Sequence, residues 1–289
     1  MSAPTLTAFA PVTEPCVIDG MSDEVYHADP VEGGSLSSTG ARAILKSPAR
    51  FAWDRTHRRE SSAFDVGHAA HAKILGVGLG VVEYPAEHLT PSGNISTKAA
   101  TAEWARAARE RGLAPVTPQQ MADVDAMAEA VLAYKPAQDL LEAPGKSEQS
   151  VFTEDPETGA WLRVRIDRLG NNWTATDLKT TTDANPDEFR RDVAKYGYDV
   201  QQMFYLYALD LVRGGTHRFR FIVVEKTPPY LVSVNELDAE FEAIGRQRMR
   251  RAIDTYAACM ESGEWPGYEP IVHLVDPPRW LAYDEGMGD

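Results

Sequence analysis

The sequence predicts a mixed α/β fold, a central mixed β-sheet flanked by helices, and three observations carry that prediction. Helix-periodic segments dominate residues 35 to 135, alternating strand patterns with tight turns take over at Gln149, and helix, strand and helix then follow to about Glu261.

Taken in order, residues 1 to 20 hold several prolines and little periodicity, and read as a flexible lead-in. A single domain follows over 21–289, with a helical part (21–148) and a sheet part (149–289). SLSSTGARAILKSPARF (35–51) places hydroxyl side chains to cap one short amphipathic helix carrying Ala41, Ile44 and Leu45, with Pro48 near its end. AFDVGHAAHAKIL (63–75) is a second helix, in which Gly67 signals a close approach. Residues 76–96, with Pro91 to Asn94, read as an exposed loop. Thr97 to Arg111 is helical, as is Gln119 to Lys135, where Met121, Val124, Ala128, Val131 and Leu132 form a stripe.

SVFTEDPETGAWLRVRIDRL (150–169) reads as a hairpin turning at Asp155 to Gly159. Asn171 and Asn172 supply the next turn, and Trp173 to Leu178 the next strand. Helices are expected over Asp187 to Val193 and Asp199 to Arg213, a strand over FRFIVVEK (219–226), and a long helix from about Glu236 to Glu261.

Composition narrows the function classes. The 289 residues are 43% hydrophobic, enough for a sizeable core. Cys16 and Cys259 are far apart and belong to no CxxC pair, which argues against a zinc ribbon or a disulfide framework. No secretory leader or membrane span is expected, so the chain reads as cytoplasmic with reduced thiols. A net charge of −14 disfavours coating nucleic acid by charge alone. Positive charge is nevertheless concentrated at Arg42, Lys46, Arg50, Arg55, Arg58 and Arg59 against Asp54, either as a solvated helix face or as a local basic track.

Two strands joined by a tight turn bring Asp167 near Asp177, and period-two alternation sends Asp177 and Lys179 to one face. Paired carboxylates repel unless a cation sits between them, and hard divalent ions prefer oxygen ligands. A lysine at the same site suits phosphodiester hydrolysis. The competing reading is an ordinary exposed hairpin, where Asp and Lys are common. The partly apolar flanks of Asp177 favour burial, and a buried acid needs a partner.

These residues resemble the PD-(D/E)XK nucleases, and among them the RecB-type and RecE-like exonucleases (exodeoxyribonuclease VIII-like), the latter often encoded by phages. RVRIDRL (163–169) resembles the first acidic motif and ATDLKTTT (175–182) the D/E-x-K motif. YDVQQMFYLYAL (198–209) is similar to the Q-x-x-x-Y helix, with Gln201 and Tyr205 preferred over Gln202. VGHAAHAKIL resembles the G-x-x-x-H helix, where Gly67 would pack closely and His71 is preferred over His68. SLSSTGARAILKSPARF, Trp265 to Tyr268 and Pro278 to Trp280 resemble the opening helix and the ending of RecE-like proteins.

The resemblance implies a restriction-endonuclease-like core. It implies Asp167, Asp177, Lys179, Gln201 and Tyr205 as catalytic, and His71, Asp167, Asp177 and the Leu178 carbonyl as ligands of Mg2+, for which Mn2+ could substitute. Glu148 is a further candidate, and Arg42, Lys46, Arg50 and Arg55 are candidate DNA contacts. Trp53 could stack on a base or anchor its helix in the core, with the core reading ahead. The implied activity is 5′-to-3′ resection of linear double-stranded DNA, leaving 3′ tails for recombination. Implied partners are a RecT-like single-strand annealing protein and a ring-shaped homo-oligomer, in a host cytoplasm if phage-encoded. Endonuclease action on the same scaffold and a non-catalytic DNA-binding module are the alternatives.

Overall fold

The structure, a computed structural model, describes residues 10–57, 62–78, 80–215 and 217–277. Its elements in chain order are β1 (Cys16–Ile18), α1 (Asp23–Ala28), β2 (Leu36–Ser37), α2 (Ser38–Ile44), α3 (Pro48–Thr56), α4 (Ser62–Leu75), β3 (Gly80–Glu83), α5 (Ala99–Glu110), β4 (Leu113–Val116) and α6 (Pro118–Ala133). They continue with α7 (Lys135–Glu142), β5 (Gly145–Glu154), β6 (Trp161–Gly170), β7 (Thr174–Thr181), α8 (Pro186–Tyr196), α9 (Tyr198–Arg213), β8 (Arg218–Glu225), β9 (Val232–Asn235) and α10 (Ala239–Ser262).

The main sheet runs β1-β5-β6-β7-β8-β9, with β2 paired to β6 off that path. β7 and β8 are parallel, joined over the sheet by α8 and α9, while the β5–β6, β6–β7 and β8–β9 ladders are antiparallel. The sheet is therefore mixed, as expected.

Strand alternation divides the core. Ala175, Phe219, Phe221 and Val223 face a cluster built with α2, α8, α9 and α10, whereas Leu178, Ile222 and Val224 face α4, α6 and α7. Helix α9 is buried along most of its first half, because α10 crowds it: a Cβ on Gly245 would lie 2.5 Å from the Asp199 carbonyl oxygen. No helix among the described residues is long and apolar enough to cross a membrane.

Four expectations are corrected. Residues 35–51 make two helices, because Pro48 opens α3 at its first turn, where a missing N–H costs nothing, and the Ser47 side chain caps it. The stretch 76–96 is not all loop: β3 pairs in parallel with β4 in a separate two-stranded sheet. The end of the segment read as a flexible lead-in is the edge strand β1, paired with β5 at Cys16↔Phe152. Both β1 and β2 also bring the N-terminal part into the sheet, so the boundary near residue 148 does not separate helices from strands. Residues 1–9, Arg58, Arg59 and Pro278 to Trp280 lie outside the described residues.

Candidate metal and catalytic site

The site forms where the sheet splits. β6 and β7 pair only at Arg168↔Thr176 and Leu169↔Ala175, while the far end of β6 takes β2 at Leu36↔Leu162. Extending the β6–β7 register sets Asp167 opposite Asp177, where the strands part. There Asp167 Oδ2 accepts the Leu178 backbone N–H at 2.8 Å, replacing a ladder bond that the split removes. Asp167 and Asp177 are 8% and 2% exposed, so neither belongs to a solvated hairpin.

His71 arrives from the opposite layer. Ala69, Ala70 and Ile74 anchor α4 in the cluster that holds the Leu178 side chain. The His71 Nε2 consequently lies 3.1 Å from the Leu178 carbonyl oxygen and 3.2 Å from Asp167 Oδ2.

Glu148 completes this group. Its neighbours Ser147 and Gln149 pair with Arg168 and Ile166, which sets Glu148 opposite Asp167, but its φ of 52° turns it into the left-handed region. A non-glycine residue there is strained and is held only by strong surroundings. Ligand atoms of His71, Glu148 and Asp167 all lie within 4.8 Å of one another, and they are the cluster of this kind among the described residues.

Asp177 stands beside that trio. Gln201 Nε2 donates to its Oδ1 at 2.6 Å, and Lys179 Nζ lies 2.5 Å from its Oδ2. The Lys179 ammonium also sits 4.7 Å from the centre of the Tyr198 ring, a cation–π contact. Tyr205, one turn further along α9, is buried edge-on to Phe219, and burial, then the charge of Asp177, pushes its hydroxyl well above the usual range.

The electrostatics are those of under-compensated acids. Burial, then the charge of Asp177, pushes the Asp167 carboxyl well above the usual range, against Lys179 and the Leu178 N–H. Burial, then Asp167, pushes Glu148 up to about 7, with Arg165 and His71 opposing. A cation would relieve both. The donor set of imidazole nitrogen, carboxylate oxygens and a backbone carbonyl suits Mg2+ or Mn2+. Neighbouring donors on an octahedral ion at about 2.1 Å lie roughly 3 Å apart, close to the His71 spacings. The residues present therefore fit a divalent ion.

The remaining candidates scatter. Arg42 Nη1 donates to the Tyr196 carbonyl at 3.2 Å, next to the tyrosine that stacks on Lys179. Lys46 and Arg50 are exposed, and Arg55 turns toward α10, 3.7 Å from Met260 Sδ. Trp53 is 57% exposed and stacked on His57 at 3.6 Å, which overturns the core reading. Among the described residues a Cβ on Gly67 would meet nothing within 4 Å, so close packing against them is not its reason. His68 is exposed, and Gln202 Nε2 donates to Glu242 on α10, away from the carboxylates. Trp265 packs against Phe51, whereas Tyr268 is exposed. Sequence reading missed Arg165, whose side chain contacts Glu148; its place two residues before Asp167, on the same strand face, was the available signal.

Residues 37–273 match the model of a family described as a PDDEXK-like domain of unknown function (DUF3799). The fold is similar to that of a candidate exonuclease from Eubacterium rectale, with a TM-score of 0.61 and 12% identity over 92% of this chain and 98% of that one. A phage-related exonuclease from Haemophilus somnus 129PT aligns with a TM-score of 0.34 and 12% identity over 80% of this chain and 96% of that one. No curated protein matches the chain.

Proposed function

Because this chain belongs to the PDDEXK-like domain family, we propose that it is a divalent-metal-dependent nuclease acting on DNA, with its reaction centre at the split between β6 and β7. The observation that carries the reading is the convergence of His71 Nε2, Asp167 Oδ2 and the Leu178 carbonyl, with Glu148 beside them and the Asp177–Lys179 pair alongside.

His71, Asp167, Glu148 and the Leu178 carbonyl would hold Mg2+, or Mn2+ in its place, and Asp177 is retained as the second acidic ligand. Such an ion supplies Lewis-acid polarisation of a phosphate and a more acidic water. Lys179 stabilises the negative charge that develops on the phosphate, and its ion pair with Asp177 and its stacking on Tyr198 fix the ammonium in place. Gln201 orients Asp177 through its amide. Tyr205, buried against Phe219 one turn beyond Gln201, lies where the charge of Asp177 acts on it. Arg42 is the candidate DNA contact nearest the reaction centre by its bond to Tyr196, with Lys46, Arg50 and Arg55 continuing along α2 and α3.

The finer reading is a Mg2+-dependent exonuclease on linear double-stranded DNA, 5′ to 3′, that leaves 3′ tails for recombination. The RecE-like motifs support it, and the likeness of fold to the candidate exonuclease bears only on exonuclease action and not on polarity or recombination. A single-strand annealing partner and a ring-shaped assembly rest on the motif resemblance alone. All three of Asp167, Asp177 and Lys179 are in place, which disfavours a non-catalytic module. End-labelled linear and circular duplex, incubated with Mg2+ or with chelator, test the proposal. Shortened linear DNA beside intact circles, in Mg2+ only, is the expected result. Cut circles would select an endonuclease, and no release of nucleotides from any substrate would defeat the nuclease reading.

A further inference from the structure

We infer that Arg165 is a positioning residue that holds the Glu148 carboxylate at the metal cluster, an inference that rests on the metal-dependent reading of the site.

Arg165 lies on β6, two residues before Asp167 and on the same strand face, and its side chain is only 12% exposed. Its guanidinium lies against three oxygens, through two ion pairs and one hydrogen bond. Nε is 2.5 Å from Glu148 Oε2, Nη1 is 2.7 Å from Asp23 Oδ1, and Nη2 donates to the Met21 carbonyl at 2.6 Å. The Tyr26 ring lies 5.3 Å from Cζ and adds a cation–π contact. Tyr26 is itself buried on α1, whose N-terminus is capped by Ser22. The guanidinium is thus fixed by the stretch that follows β1 and enters α1.

Glu148 needs such a fixture. Its backbone is in the left-handed region, and its carboxylate stands next to that of Asp167, which repels it. Left alone, a flexible acidic side chain would turn to water and leave the cluster with His71 and Asp167. Arg165 opposes that loss by gripping one oxygen, and a carboxylate with one oxygen engaged keeps acceptor capacity for a cation. A lysine at this position would bring a single nitrogen, which cannot span the Glu148, Asp23 and Met21 oxygens as the three nitrogens of the guanidinium do.

The effect should be read in metal affinity, independently of cleavage. Calorimetric titration of the full chain with Mn2+ compares wild type, Arg165→Met, Glu148→Gln and the double variant, with Asp23→Asn as a control that breaks another leg of the same guanidinium. Arg165→Met is expected to weaken Mn2+ binding by roughly 10- to 100-fold, the range typical of partners that orient metal ligands. In the Glu148→Gln background the same substitution should change affinity little, and Asp23→Asn should lower thermal stability more than metal affinity. Arg165→Lys should fall between wild type and Arg165→Met, and it repeats the cycle if Arg165→Met does not fold. Equal losses in both backgrounds, or no loss in either, would overturn the positioning role while leaving the metal site standing. A wild-type chain that binds no Mn2+ would instead defeat the metal reading on which it rests.

Discussion

Two buried carboxylates of the same sheet region, Asp155 at the β5–β6 turn and Asp167 on β6, have opposite fates. Asp155 is fully buried, yet donors surround it: two nitrogens of Arg250 at 2.8 and 2.9 Å, the Tyr207 hydroxyl at 2.6 Å, and the N–H and Oγ1 of Thr158 at 3.0 and 2.7 Å. Burial alone would raise its pKa, but the hydrogen bonds from Arg250, Tyr207 and Thr158 outweigh it and hold the carboxyl at about 2. Asp167 has the Leu178 N–H and the His71 ring, and two more acids for neighbours. Burying an acid is therefore not what marks a site. A shortage of donors beside it is, because that deficit is what a bound cation corrects.

The comparison breaks most visibly under substitution of the groups assigned to chemistry. Lys179→Ala should slow cleavage by about 100- to 1,000-fold while Mn2+ affinity stays near that of wild type, since the lysine is assigned to the reaction and not to coordination. Single-turnover cleavage and calorimetry separate the two effects. Stability should follow the reverse pattern. Asp155→Ala removes a fully buried acceptor shared by Arg250, Tyr207 and Thr158 and should cost about 2 kcal/mol in denaturant unfolding, whereas Asp167→Asn in chelator should change stability by less than about 1 kcal/mol. A larger loss for Asp167→Asn than for Asp155→Ala would reverse the assignment.

The two regions should also answer pH with opposite sign. Glu148 titrates at about 7 in the folded chain against an ordinary value of 4.5, so the folded, metal-free chain binds that proton more tightly than the unfolded chain. Its contribution to stability is whole below about pH 4.5 and is lost as pH rises to about 7. Asp155 titrates at about 2 against 3.8, so its contribution is present above about pH 3.8 and is lost as pH falls to about 2. Thermal unfolding in chelator should show both limbs. Glu148→Gln should remove the neutral limb alone, and saturating Mn2+ should reverse it, because the ion competes with the proton.

The smallest effect concerns Gly67, one turn before His71 on α4. Among the described residues the space around its Cβ position is open, so Gly67→Ala should stabilise the helix, by up to about 1 kcal/mol. Slower cleavage by this more stable variant would mark the space as room for substrate; unchanged cleavage would make the glycine incidental.

Much of this arrangement was legible in the sequence, and the gaps have physical causes. Period-two alternation placed Asp177 and Lys179 together, and the tight turn placed Asp167 opposite them. The motif resemblance preferred Gln201 over Gln202, and in the structure Gln201 bonds to Asp177 while Gln202 bonds to Glu242. Glu148 could be held only as a candidate, since a left-handed φ at a glutamate leaves no trace in residue type. The short strands β1, β2 and β9 escaped because strands of two to four residues are set by the ladders they join and carry too little pattern of their own. Tyr205 sits on the same helix one turn beyond Gln201 and packs edge-on against Phe219, a contact that depends on helix packing and not on residue spacing.

The central claim is that the acids at the sheet split await a cation while those at the Asp155 corner do not. Calorimetric titration with Mn2+ of wild type, Asp167→Asn and Tyr207→Phe, each shown to be folded, tests it most directly. Saturable binding by wild type and Tyr207→Phe, with binding abolished in Asp167→Asn, is the predicted result. Undiminished binding by Asp167→Asn, or none by wild type, would contradict it.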